Sequence, residues 1–334
     1  MRGEPLIERP VGRTVVLHPG ALGDLLLSIP ALRALRAGAW GDELVLAAQG
    51  RIGALLVALG IADRALDFDS LGLDTLFTAG APAESLSRLL AGARAVSWFG
   101  SRDAHFVDRL RSLAQESVAA PTMPAESLTV WRHLLATVAP LVAGALDDEA
   151  GREPIALREG IVDTGRRELA DAGWDGARPL VVLHPGAGGI AKRWPVEGFA
   201  RLAEWIVGAL GADVVVHEGP ADRDAVASLH DRLRVPVRAL VDPSLESLAG
   251  AIHHATLFVG NDSGVTHLAA AVDAPTLALF VAANVAWRPW VPGARVRVVS
   301  AEALVPGDVD AAIAEAGDLF ASRAQRVGGR RGSS

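Results

Sequence analysis

The chain has 334 residues, half of them hydrophobic, a net charge of −7 and no cysteine. That length suits two domains of roughly 100–200 residues each, and the lack of cysteine excludes disulfides, thiolate metal sites and cysteine nucleophiles while fitting a reducing compartment. Counted either side of Gly160, 15 Arg meet 19 acids and then 17 basic residues meet 20 acids, so neither half has the cationic surplus of a nucleic-acid-binding domain.

The opening residues MRGEPLIERP hold no apolar core of a secretory signal, so a cytoplasmic location is expected. Strands are predicted near Thr14–His18, Glu43–Ala48, Ala65–Phe68, Ala95–Trp98 and Ser117–Ala119, with helices between them. Helical periodicity then runs over 125–143. The apolar stretch Leu134–Leu146 falls short of the about 20 residues of a membrane span and contains Pro140 and Gly144. An acidic connection over 147–153 leads to a helix over Gly160–Ala172. Further strands are predicted near Leu180–His184, Asp213–His217, Val235–Leu240, Leu257–Gly260 and Thr276–Phe280. Helices open at Pro195, Ala221, Ser244 and Ser263, and a last one covers Gly307–Phe320. The tail from Arg323 to Ser334 has four Arg and no acid; it reads as a disordered terminus or as a weak contact for an anionic membrane surface. Strands alternating with helices throughout indicate an α/β protein.

The string VVLHPGA occurs at Val15–Ala21 and again at Val181–Ala187, an offset of 166 residues. Two similar halves follow, residues 1–160 and 161–334, each opening on a buried strand that runs into a Gly-rich turn. In sheets of this kind ligands bind where strand carboxyl ends meet helix N-termini, so the chemistry is sought in a cleft between the halves.

Of 32 basic side chains only Lys192 is lysine, in HPGAGGIAKRWP. A compact ammonium after a strand and a Gly-rich loop suits phosphate, with Gly186, Gly188 and Gly189 letting backbone N–H groups approach the anion; the plain alternative is a surviving surface lysine. The spacing matches neither a P-loop nor a dinucleotide fingerprint. In FVGNDSGVTHLAAAV, Asp262 or Ser263 can cap a helix whose first N–H groups, from Ser263, Gly264 and Val265, form an anion site, with His267 one turn in; an ordinary capped helix with a core histidine is the alternative. In HPGALGDLLLSIP, Asp24 stands at a helix start, either as a cap or as a general base. Three Asp-x-Asp triplets, at Asp67/Asp69, Asp222/Asp224 and Asp308/Asp310, show no converging partners in the sequence, and no residue is assigned to a metal. The pair His253-His254 reads as structural.

Together LGDLLLSIPALRALR, LHPGAGGIAKRWPVEGFARLA and FVGNDSGVTHLAAAVDAPTLALF resemble the ADP-heptose:lipopolysaccharide heptosyltransferases, glycosyltransferase family 9. The resemblance spans nearly the whole chain. It implies a GT-B fold of two Rossmann-like domains facing across a cleft, the first binding acceptor and the second the nucleotide-sugar; the element order itself suggests that the last helix returns to pack on the first. It also implies inverting, metal-independent transfer without a cofactor. By position Asp24 resembles the base, while Lys192 and the loop of Gly186, Ala187 and Gly188 resemble a donor-phosphate site. Asp262, Ser263, Gly264 and His267 resemble a second phosphate-contacting segment, and Glu218 resembles the acid that bonds the donor ribose. The chain departs from the family in having Ala187–Ala191 without a hydroxyl side chain, and no Gly-Pro after NDSG or after the ALF strand.

The function expected from the resemblance is transfer of heptose or a related sugar from an ADP-sugar to a lipopolysaccharide inner-core or other cell-envelope glycan, at the cytoplasmic face of the inner membrane. A nucleotide-sugar epimerase or hydrolase and a non-catalytic nucleotide-sugar binder are the alternatives. Arg102, Arg109 and Arg111 either meet an anionic acceptor or form a solvated surface, and Trp287 and Trp290 either line the cleft or belong to the core.

Overall fold

The computed structural model describes residues 12–38, 43–124, 128–142, 146, 149 and 151–331, with side chains of the last helix through Arg323. The opening segment, residues 147, 148 and 150 of the acidic connection, and the charges of the Arg-rich tail beyond Arg323 therefore lie outside the described residues. Two compact units result. The first comprises the described residues up to Ala21, those from Ser28 to Pro124 and those from Arg132 to Gly151; the second comprises Leu22–Leu27, Leu128–Trp131 and the chain from Arg152 onward.

The first unit holds a parallel sheet of β1 (Arg13–Leu17), β2 (Glu43–Ala48), β3 (Arg64–Asp67), β4 (Arg94–Ser97) and β5 (Glu116–Ala119), in the order β3-β2-β1-β4-β5. Early helices are α1 (Leu22–Leu27), α2 (Ile29–Gly38), α3 (Gly50–Ala58), α4 (Glu84–Leu90), α5 (Ala104–Leu113) and α6 (Val130–Thr137). The central strands are continuous apolar runs because helices cover both faces of a parallel sheet; Val15, Val16 and Leu17 are fully buried. The long helix expected over 125–143 shortens to α6, and a 3-10 turn at Ala139–Leu141 follows. Pro140 has no N–H to carry a helix on.

After α7 (Glu159–Asp171), the second unit repeats the plan with β6 (Leu180–His184), α8 (Val196–Leu210), β7 (Asp213–Glu218), α9 (Arg223–His230), β8 (Arg238–Val241), α10 (Leu245–His253), β9 (Leu257–Asn261), α11 (Gly264–Ala271), β10 (Thr276–Phe280), β11 (Arg295–Val298) and α12 (Pro306–Arg331). All pairings are parallel. The order β11-β10-β9-β6-β7-β8 makes β6 and β9 neighbours. Strand order therefore reverses between β6 and β9, and such switch points form ligand crevices at the strand carboxyl ends. The helix faces follow from spacing. Phe199, Leu202, Ala203 and Ile206 of α8 recur at helical intervals and are buried on the sheet. Gly211 then ends α8 in the left-handed region, with φ of 60°.

Four expectations change. The second unit begins at Arg152 rather than after residue 160, because Arg152 Nε donates to Trp290 O (2.8 Å) and Ile155 N to Ala271 O (2.7 Å). Helix α12, expected to return to the first half, has Val309, Ala312, Ala316 and Leu319 in the core of the second unit. The helix also continues to Arg331, into the tail read as disordered. Strand β8 starts only at Arg238, since Pro236 lacks a ladder donor, and β11, with its alternating Arg and Val, was not anticipated. Among the described residues no helix is long and apolar enough to cross a membrane.

Helices α7 and α10 cross backbone to backbone. A Cβ on Gly165 would lie 2.0 Å from Gly250 C, and one on Gly250 would lie 2.1 Å from Ile161 O. Gly165→Ala is therefore expected to destabilise by about 3 kcal/mol through overpacking. Gly160→Ala, on the same helix with no atom within 4 Å of its new methyl, should be neutral or stabilising. Urea midpoints of the two variants test this contrast.

Candidate active site

At the β6/β9 switch point one buried amide organises the loop that carries Lys192. Asn261, the last residue of β9, is wholly buried. Its Nδ2 donates to Pro185 O (2.8 Å) and its Oδ1 accepts from Trp194 N (3.0 Å), so it ties both ends of the segment 186–193 to the sheet. Within that segment Ile190–Lys192 form a 3-10 turn. Trp194 is buried beside Phe199, which anchors the exit into α8.

Lys192 Nζ lies 3.0 Å from Asp262 Oδ2. The ammonium side is 40% exposed and the carboxylate 5%, so the pair has one face open to a ligand. Asn284 Nδ2 donates to the same Asp262 oxygen (2.6 Å). Asp262 is thus the orienter of Lys192 and not the helix cap. The cap of α11 is Ser263, whose hydroxyl accepts from Thr266 N (3.3 Å), while Thr266 Oγ1 donates to Asn261 O (2.5 Å).

His267, one turn into α11, is buried. Desolvation pushes its pKa down to about 4 and Lys192 adds to the lowering, against the opposing pull of Asp262. The ring is neutral at neutral pH, and its Nδ1 finds no partner among the described residues. Helix α1 reaches this place through two glycines. A Cβ on Gly23 would meet His267 Cδ2 at 3.1 Å, and one on Gly264 would meet Leu22 Cβ at 2.8 Å. Asp24 occupies the first turn of α1, half-buried, beside the start of α11.

Gly186 has a different reason to be glycine from the one its spacing suggested. A Cβ there would overlap Asp222 Oδ1 at 1.9 Å. Gly188 and Gly189 face open space, which suits close approach of a ligand, and Ala187 is buried beneath the loop. Glu218 is half-buried at the end of β7. Asp222 belongs to an Asp-x-Asp triplet set aside in the sequence for want of partners, and the fold supplies them. His184, ending β6, and His217, near the end of β7, stand with Nδ1 atoms 3.0 Å apart, and Asp222 completes a buried cluster. Burial lowers His184 to about 4, with Arg193 adding to the lowering, and His217 to about 3, with His184 adding to it.

The remaining candidates separate. Arg109 is committed to Gly80 O (2.7 Å) and Thr78 O (3.1 Å), and Arg111 pairs with Asp108 (3.0 Å). Exposed Arg102 instead lines a cavity of about 590 Å³ with Phe77, Trp98, Phe99 and Met123, beyond the ends of β4 and β5. Trp290 is core, its Nε1 donating to Leu26 O (2.8 Å), whereas Trp287 is half-buried. His253 and His254 bond Val272 O and Val162 O, the structural role expected of them. Asn261, Asn284 and the His184–His217 pair were missed as site residues.

Residues 101–305, more than half of the chain, match the family model described as glycosyltransferase family 9 (heptosyltransferase). The chain belongs to glycosyltransferase family 9. It is 37% identical to lipopolysaccharide heptosyltransferase 3 of Escherichia coli over 37% of each chain. Against lipopolysaccharide heptosyltransferase 1 of Pseudomonas aeruginosa it is 33% identical over 52% of this chain and 47% of that one. The chain thus spans half or less of the length of these relatives. Among solved structures, the family 9 member from Veillonella parvula superposes with a TM-score of 0.74 at 18% identity, covering 95% of this chain and 99% of that one. The E. coli ADP-heptose heptosyltransferase II superposes with 0.69 at 20%, covering 93% and 99%. The family 9 fold is the GT-B fold of two parallel α/β sheets.

Two outcomes follow from the site. The folded pKa of His267, about 4, lies below its ordinary 6.5, so between those values the unfolded chain binds a proton that the native chain does not. Its contribution to stability is complete above the ordinary value and falls as pH drops toward 4, at up to about 1.4 kcal/mol per pH unit. Urea midpoints of His267→Asn should accordingly fall less steeply with acidification than those of the wild type. Asn261→Ala leaves Pro185 O and Trp194 N without their partner and is expected to cost about 2–4 kcal/mol, read as a lower urea midpoint.

Proposed function

We propose that the chain is an inverting glycosyltransferase that moves heptose or a related sugar from an ADP-sugar to a lipopolysaccharide inner-core or other cell-envelope glycan. The observation that carries this reading is the Lys192–Asp262 pair with one open face, set at the switch point beside the capped start of α11. Family membership supports the reaction class. A solved heptosyltransferase of similar fold binds ADP, which supports the nucleotide.

In a single displacement the acceptor oxygen bonds to the anomeric carbon as the bond from that carbon to the diphosphate oxygen breaks. The acceptor proton goes to Asp24, and ADP leaves with the electron pair. Lys192 and the first N–H groups of α11 hold the charge gathering on the diphosphate, stabilisation of the oxyanion-hole kind that needs no metal on the phosphates. The loop Gly186-Ala187-Gly188 adds backbone donors, while Asp262 and Asn284 keep the ammonium in place. Glu218 takes the donor ribose hydroxyls. The acceptor enters the aromatic cavity of the first unit, where Arg102 supplies a cation for an anionic sugar. A lipid-linked acceptor would bring the enzyme to the cytoplasmic face of the inner membrane.

Calorimetry with ADP, UDP, GDP and TDP, paired with a transfer assay using ADP-heptose and a lipid acceptor, tests this. ADP should bind best, and Lys192→Ala should weaken it and lower transfer about 10²–10³-fold. Asp24→Asn should lower transfer by about 10²–10⁴-fold while leaving ADP binding intact. Failure to bind any of the nucleotides would overturn the reading, and preference for a different one would replace the sugar donor.

A further inference from the structure

We infer that His184, His217 and Asp222 form a binding site for a divalent first-row transition-metal ion, zinc or ferrous iron by ligand chemistry, closed beneath the Gly-rich loop. None of the transfer steps proposed above uses these three side chains, and the ion would organise the fold rather than react.

The placement comes from topology. β6 and β7 are adjacent parallel strands with Leu183 opposite Val216, so the next residues, His184 and His217, stand side by side at the carboxyl edge. Their Nδ1 atoms are 3.0 Å apart, and one ligand atom from each of the three residues lies within 4.8 Å of the others. Metal–nitrogen bonds of about 2.0–2.1 Å in a tetrahedral site set ligand atoms about 3.3 Å apart, so the histidines need only a few tenths of an ångström of adjustment and the carboxylate a short inward swing. All three side chains are buried, at 2%, 3% and 8% exposure.

The surroundings favour a cation. Two carboxylates, Asp222 and Asp242, act on His217, against one guanidinium, Arg193, acting on His184. Asp242 holds a left-handed backbone (φ 45°), uncommon for a non-glycine residue, and its N–H bonds Glu218 O (2.7 Å). The carboxylate of Asp222 is oriented as a ligand usually is, by an outer hydrogen bond: Gly219 N donates to its Oδ2 (3.1 Å). Space is cleared for it on both sides. A Cβ on Gly186 would strike Oδ1 at 1.9 Å, and one on Gly219 would strike Oδ2 at 2.9 Å. Without an ion, the two neutral imidazoles share one hydrogen bond in a buried pocket that also confines a carboxylate. Two imidazoles and one carboxylate are a ligand set for Zn²⁺ or Fe²⁺ and not for Ca²⁺ or Mg²⁺, which take oxygen.

The test uses the full, untagged chain. Metal content of the protein as purified is measured by mass spectrometry, and the chelator-stripped protein is titrated with ZnCl₂ and with Co²⁺, the latter followed by visible absorption. One ion per chain is expected, with a raised urea midpoint in the presence of Zn²⁺. His217→Gln should weaken Zn²⁺ binding about a hundredfold or more, whereas His253→Gln, in the other histidine pair, should leave it unchanged. Should His217→Gln fail to fold, X-ray absorption of the wild-type zinc protein decides: two imidazoles in the coordination shell are expected, and one or none overturns the proposal. Uptake below one ion per chain, or uptake that survives His217→Gln, overturns it equally.

Discussion

The side chain of Asn261 is the constraint on which the active-site geometry rests. An amide is the one short side chain that offers a donor and an acceptor in fixed relation, and Asn261 uses both on main-chain groups at opposite ends of one loop. A carboxylate would repel Pro185 O and an apolar residue would strand two buried polar groups, each costing about 1–3 kcal/mol. The position of Lys192 is thus set from the end of β9 as well as by the loop's own 3-10 turn. Because the order of strands puts β9 beside β6, the clamp is available only at the switch point.

Charge is then arranged around that frame. An unpaired carboxylate would oppose an anion at the proposed phosphate site; Asp262 is shared by Lys192 and Asn284, and its charge fixes an ammonium whose side chain is 40% exposed. The same carboxylate acts on His267, whose burial nevertheless keeps it neutral. Ser263 caps α11 with a neutral hydroxyl and so adds no charge of its own at the positive end of the helix dipole.

Much of the fold was legible because its signals are local. The repeated VVLHPGA marks two strand-to-loop turns, and the apolar runs mark strands buried on both faces. The lone lysine and the NDSG segment pointed to the place where Lys192 and Asp262 meet. What stayed hidden depends on distance along the chain. His184 and His217 are 33 residues apart and Asn284 is 22 from Asp262, and neither separation has a sequence pattern. Gly186 shows a subtler case: its spacing suggests backbone approach to an anion, and the fold adds that a side chain there would strike Asp222. Asp-x-Asp was judged by spacing alone, and spacing could not reveal two histidines arriving from neighbouring strand ends. Short β11 escaped because alternating Arg and Val over four residues carries little period.

Helix α1 bears on where the residues of the proposed mechanism sit in the fold. It lies in the first half of the sequence but packs within the second unit, where the missing side chains of Gly23 and Gly264 let α1 and α11 approach at their first turns. The proposed base and the proposed holder of the leaving diphosphate therefore share one compact body. Their spacing is set by helix packing, which resists deformation because interiors are close-packed, and a misplacement of about 1 Å can cost 10²-fold in rate. On the proposed reading, a side chain at Gly23 or Gly264 should lower transfer, because it would push α1 away from α11.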